Sequence, residues 1–196
     1  MDKLLLERIM LDNQKEVEAQ QVIARNISFE GFDRYVLVGI RRAGKSYLLY
    51  QQMQKLLSEG HGWDEMLYLN FEDERLEGFS TQDFNLILEA HFEMYNKRPM
   101  LFLDEIQNIP SWEKFARRLA DSKYKVFITG SNAKMLSSDI QTTLGGRYLS
   151  VNVYPYSFEE FLDVCQVPHN KLSLISTERS EEHTSELQSL GNLVCR

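Results

Sequence analysis

Eight residues limit what this chain can fold into more than any other stretch of its sequence. GIRRAGKS, residues 39–46, follows a short apolar run from Tyr35 to Val38 and opens an apolar-periodic stretch from Lys45 to Leu57 that closes near Gly60. The spacing G-x-x-x-x-G-K-S between a strand and a helix is that of a loop that wraps phosphate oxygens. Gly39 and Gly44 permit backbone conformations closed to other residues, so the N–H groups along Ile40, Arg41, Arg42 and Ala43 can turn inward at a helix N-terminus, which itself favours an anion. Lys45 is then expected to reach the β- and γ-phosphates of a nucleotide, and the Ser46 hydroxyl to ligate magnesium. Arg41 and Arg42 add positive charge to the loop, and contact with nucleotide or plain solvation are both open for them. The competing reading is an ordinary glycine turn, but a chance match in a chain this long has odds on the order of one per cent.

The same strand–loop–helix alternation recurs along the chain. Residues 66–71, 100–103, 125–129 and 148–153 read as further strands, and 82–95, 111–120 and 157–164 as helices. Residues 3–26, rich in good helix formers with Leu5, Ile9, Val17, Val22 and Ile23 among charges, are expected to form one or two amphipathic helices. Strands that alternate with helices predict a three-layer α/β domain around a mainly parallel sheet buried on both faces.

Two later strands end in chemistry. MLFLDEIQ, residues 100–107, is an apolar run that meets two carboxylates, the pattern of a Walker B segment. Asp104 at the strand's C-terminal edge is expected to hold magnesium close to Ser46, since ligands collect at that end of parallel strands. Glu105 can accept a proton from the attacking water and orient it. The plainer alternative is a capping or solvated acidic pair. An adjacent Asp-Glu pair favours hydrolysis over phosphoryl transfer to a metabolite. KVFITGSN, residues 125–132, ends in Ser131 and Asn132, either of which can sense the γ-phosphate or serve only as a helix cap. Arg147 follows a Gly-Gly pair and can stabilise transition-state charge in its own chain or a neighbouring one, or can simply begin a strand at the surface. Cys165 and His169 stand four apart with no other Cys or His nearby, which fits a core cysteine and a surface histidine better than a metal pair.

Bulk composition narrows the classes further. The 196 residues suffice for one domain with a proper core, and the net charge of −7 offers no global basic field for indiscriminate nucleic-acid binding. Two cysteines without a C-x-x-C pair fit a reducing compartment. The N-terminus lacks a secretory pattern and the apolar runs are strand-sized, so a cytoplasmic location without membrane contact is expected.

Taken in order, GIRRAGKSYLL, YLNFEDERL, LFLDEIQNIPSWEKFARRL, FITGSN, LGGRY and YPYSFEEF resemble the prokaryotic AAA-domain-14 ATPases over residues 20–165. The resemblance implies a P-loop NTPase fold of the AAA+ type, with a five-stranded sheet in the order 5-1-4-3-2. It further implies ATP binding by residues 39–46, magnesium and hydrolysis at Asp104 and Glu105, and a sensor at Ser131 and Asn132. Relatives of this kind usually carry a further C-terminal domain, nuclease-like or winged-helix in character. The expected organisation is therefore a helical segment over 1–30, the ATPase domain over 31–165, and the start of a further region over 166–178. Residues 179–196, RSEEHTSELQS followed by LGNLVCR, resemble translation through a sequencing adapter and are expected to be a non-native tail. The expected function is magnesium-dependent ATP hydrolysis that drives or switches the C-terminal region. The alternative is a nucleotide-gated binding module with negligible turnover. A P-loop kinase fits less well, because no acceptor site or lid segment is recognisable. Expected partners are ATP and either a protein partner or further copies of the chain, with nucleic acid reached only through the C-terminal region.

Overall fold

Strands form where β-branched and aromatic residues run together, and because successive side chains point to opposite faces, each uninterrupted apolar run must be covered on both. The computed structural model, which describes residues 1–131, 135 and 142–165, has five such strands. They are β1 (Arg34–Gly39), β2 (Met66–Asn70), β3 (Met100–Asp104), β4 (Val126–Ser131) and β5 (Leu149–Val153). All pair in parallel in the order β2-β3-β4-β1-β5, the expected 5-1-4-3-2 read from the other edge. Asn132, His169, residues 166–178 and the adapter-like tail lie outside the described residues.

Four helices with described bounds lie within the first unit, Met1–Pro155: α1 (Lys3–Ala19), α2 (Lys45–Ser58), α3 (Phe84–Tyr95) and α4 (Trp112–Asp121). One face of the sheet is aliphatic: Val36, Val38, Leu67, Leu69, Leu101, Leu103, Val126 and Ile128 pack with Leu6 and Ile9 of α1, Phe84 and Ile87 of α3, and Phe115 and Leu119 of α4. The other face carries an aromatic row across three strands. Phe127 stacks on Phe102 at 4.8 Å and on Tyr35 at 5.5 Å, with α2 covering the row through Leu48, Leu49 and Met53.

Only one helix forms in the N-terminal segment. α1 ends at Ala19, and residues 20–33 have no helix because α2 satisfies their backbone instead. Gln54 Nε2 donates to the carbonyls of Val17 (2.8 Å) and Gln20 (2.9 Å), and Gln51 exchanges two hydrogen bonds with the backbone of Arg25. Carbonyls that would otherwise be orphaned at a helix end thus find side-chain donors. In the second unit, which begins at Tyr156, α5 (Phe158–Val164) opens on a capping box: Glu160 N–H donates to Ser157 Oγ, and Ser157 N–H to Glu160 Oε2. Among the described residues no helix is long and apolar enough to cross a membrane.

His91 on α3 is 1% exposed, with Nδ1 3.3 Å from the Lys97 carbonyl and a buried Nε2 that has no hydrogen-bond partner. Burial lowers its pKa below the ordinary value, partly offset by backbone groups of Lys97, Trp63 and Met66 and by the charge of Asp64. The folded state therefore resists protonation more than the unfolded chain does. This contribution to stability is complete above the ordinary value of about 6.5 and declines as pH falls below it. The melting temperature is expected to drop between neutral pH and about pH 5, the range in which an ordinary histidine gains its proton. In a His91→Gln variant that drop should be shallower. Equal slopes in parent and variant would remove His91 as a source.

Candidate nucleotide-binding site

All five strands point their C-terminal ends to one edge, and the loop after β1 lies there. Gly39 is needed where it stands: a Cβ would sit 2.3 Å from the Val153 carbonyl oxygen of the neighbouring strand. The loop turns through two left-handed residues, Arg42 (φ 66°) and Gly44 (φ 87°), and Ala43 N–H closes it on the Ile40 carbonyl at 3.2 Å. Gly44 is the N-cap of α2 and has no side chain to occupy the first-turn N–H groups. Those donors and the helix dipole face a cavity of about 350 Å³ lined by Arg41, Arg42, Lys45, Ser46, Glu72 and Glu105, among others. Arg41 is 86% exposed and lies 3.6 Å from Glu72.

Lys45 is 4% exposed, and its Nζ sits 3.3 Å from the Ile40 carbonyl and 3.2 Å from Glu105 Oε1. An ammonium buried over an anion-binding loop is costly without a negative partner, and Glu105 supplies one. Beneath the pair, Asp104 is fully buried at the end of β3. Its Oδ1 accepts from the Thr129 hydroxyl and its Oδ2 from Tyr68 at 3.1 Å, and the nearby Ser46 hydroxyl favours its charged form. Burial nevertheless pushes the Asp104 carboxyl above its usual range, and the neighbouring Glu105 charge adds to the rise. Glu105 leaves the strand in a left-handed conformation (φ 50°), with its N–H on Thr129 Oγ1 at 2.9 Å. Strain of this kind persists where the surroundings fix it, and here Thr129 does so from below. Gln107 Nε2 holds Glu105 Oε2 at 2.5 Å.

Residues far apart in sequence thus meet at one place: Lys45, Ser46, Asp104 and Glu105, with the loop residues Gly39 to Gly44. Ser131 ends β4 directly beside Gly39 in the register and is half-buried there. Arg147 is not brought to the site within its own chain. It precedes β5, where its carbonyl accepts from Arg34 Nε and its guanidinium pairs with Asp121 at 2.7 Å. That is the N-terminal edge of the sheet, a strand's length, roughly 17 Å, from the loop. Cys165 is a half-buried free cysteine after α5. Thr129, Tyr68 and Gln107 escaped the sequence reading. Thr129 carried a signal, as a polar residue inside the apolar run VFIT, whereas Tyr68 and Gln107 carried none.

Residues 32–162 match the AAA domain family of type 14. The chain belongs to that family. Among curated proteins, this AAA domain is 41% identical over 162 residues to an uncharacterized protein of Methanocaldococcus jannaschii, covering 82% of the chain and 35% of the relative. It is 38% identical over 129 residues to an uncharacterized protein of Haemophilus influenzae, covering 65% of the chain and 32% of the relative. The chain therefore spans about a third of the length of the curated relatives it matches. Among solved structures, the S. cerevisiae Hsp104–ADP complex superposes with a TM-score of 0.53 at 14% identity, covering 80% of this chain and 23% of that one. At that identity the likeness concerns the fold, an AAA+ P-loop α/β domain.

Proposed function

We propose that this AAA domain binds ATP with magnesium and hydrolyses it, and that turnover drives or switches a C-terminal region of a longer protein. The observation that carries the reading is the convergence of four side chains at one strand edge: Lys45 with Glu105 at 3.2 Å, and Ser46 beside the buried Asp104. Magnesium fits this donor set. A hydroxyl and a carboxylate are the hard oxygen ligands it takes when it also shares phosphate oxygens and keeps waters. Asp104, a fully buried carboxylate, is where a divalent cation would be stabilised. When bound, the cation supplies charge neutralisation across the β- and γ-phosphate oxygens.

The protein's own residues do the remaining work. Loop N–H groups and Lys45 bind and orient the phosphates. Phosphate oxygens compete with Glu105 for the Lys45 ammonium, which frees the carboxylate to accept a proton from water as the water attacks the γ-phosphorus and ADP leaves. Ser131, at the end of the strand between β1 and β3, is proposed as the γ-phosphate sensor together with Asn132. Arg147, remote from the loop of its own chain and paired with Asp121, is proposed to act on a neighbouring copy. A second reading, a nucleotide-gated module with negligible turnover, draws on the fact that Glu105 is held at both oxygens, by Lys45 and Gln107. We propose residues 31–165 as the ATPase domain, 166–178 as the start of the region it controls, and 179–196 as a non-native tail.

Steady-state phosphate release separates the readings. Turnover with millimolar magnesium should fall to background when the cation is chelated with EDTA, and return when magnesium is restored. Phosphate release that ignores EDTA would contradict magnesium-dependent hydrolysis, and no release in either condition would favour the gated module.

A further inference from the structure

The carboxylate of Glu105 has its two oxygens divided between two partners. Oε1 faces the Lys45 ammonium at 3.2 Å, and Oε2 accepts from Gln107 Nε2 at 2.5 Å. The other end of the same amide, Gln107 Oε1, is buried beside Gly130 and has no hydrogen-bond partner among the described residues. Reversing the amide would set its oxygen against a carboxylate oxygen, so the orientation follows from the chemistry of the pair. The amide thus satisfies one acceptor, Glu105 Oε2, while leaving its own buried oxygen unsatisfied, so it contributes little net stability. A polar contact of little net stability made to a reactive carboxylate points to a task there.

We infer that Gln107 is a positioning residue for hydrolysis, anchoring Glu105 Oε2 so that Oε1 alone takes the proton from the attacking water. This rests on the reading of Glu105 as the base. In the resting protein Oε1 is occupied by Lys45, and a triphosphate that draws the ammonium away unmasks it. A carboxylate held only by Lys45 would lose its orientation at that moment; the Gln107 hydrogen bond persists because it uses the other oxygen. The chain is short where this matters. Gln107 lies in the 3-10 turn Ile106–Asn108 directly after Glu105, so the anchor moves with the strand end and not with the phosphate loop.

Two measurements test it. In Gln107→Met, single-turnover hydrolysis of bound ATP should slow on the order of tenfold to a hundredfold, as for a misplaced base. ATP affinity by calorimetry should stay within about twofold, because no loop donor is lost, and the melting temperature should change little, because loss of the hydrogen bond to Glu105 Oε2 is offset by removal of the unsatisfied Gln107 oxygen. Gln107→Glu, which sets a like charge against Glu105, should not restore the rate. Independently of activity, one side-chain amide proton of Gln107 in the nucleotide-free parent should be shifted downfield by the carboxylate, and the shift should disappear in Glu105→Ala. Parent-like turnover in Gln107→Met, or an amide signal indifferent to Glu105→Ala, overturns the anchoring role while leaving the hydrolysis reading intact. A parent that binds ATP without hydrolysing it overturns both.

Discussion

Lys45→Ala is expected to weaken ATP binding on the order of a hundredfold or more, about 3 kcal/mol, the scale of losing charge-assisted contacts to phosphate from a dry site. The ammonium is 4% exposed and lies over the loop that the N–H groups line, so neither water nor salt can substitute for it. Arg41, 86% exposed, is too solvated to take over. The substitution also leaves Glu105 without its ion-pair partner at the mouth of the site, adding uncompensated negative charge where an anion must enter. Calorimetry with ATP and magnesium on parent and variant, with melting curves to verify folding, reads the effect directly. Equal affinities would mean that the loop from Gly39 to Ser46 is not the phosphate site.

Glu105→Gln should act on the opposite side of the cycle. The amide keeps the shape of the carboxylate but cannot take a proton, so turnover should fall roughly a hundredfold to ten-thousandfold, the usual worth of a general base. Binding should survive and shift toward tighter, because Lys45 no longer has to leave an anionic partner when phosphate arrives. Opposite behaviour in the two variants, lost binding in one and lost turnover with intact binding in the other, is the signature of this pair. Loss of binding in Glu105→Gln would instead make Glu105 a structural partner of Lys45.

Much of this site could be read in the sequence because its parts are local. The loop spacing, the start of the helix that follows it and the two carboxylates after an apolar run are each short consecutive stretches, and each is set by a short-range rule of strand ends and helix starts. The sheet order was legible only through resemblance to relatives, since spacing does not say that β4 inserts between β1 and β3. That insertion is what brings Thr129 under Asp104 and Ser131 beside Gly39. Tyr68 reaches Asp104 from β2, a contact fixed by register across the sheet and invisible in a single strand. Gln107 carries no signal in the sequence, because its role depends on the left-handed backbone of Glu105 that aims the carboxylate back at it. The helix expected to run on toward residue 26 stops at Ala19 for a similar reason: propensity favours continuation, but Gln51 and Gln54 of α2 supply the donors that hold the chain extended.

Cleavage of ATP at this edge of the sheet by Glu105 is tested most directly by single-turnover hydrolysis of γ-labelled ATP, with protein in excess and magnesium present. Such a format detects even slow cleavage, since each bound nucleotide is followed once. The parent is predicted to convert bound ATP to ADP and phosphate while Glu105→Gln holds it as ATP over the same time. Equal conversion by both proteins, or ATP recovered intact from the parent, would contradict it.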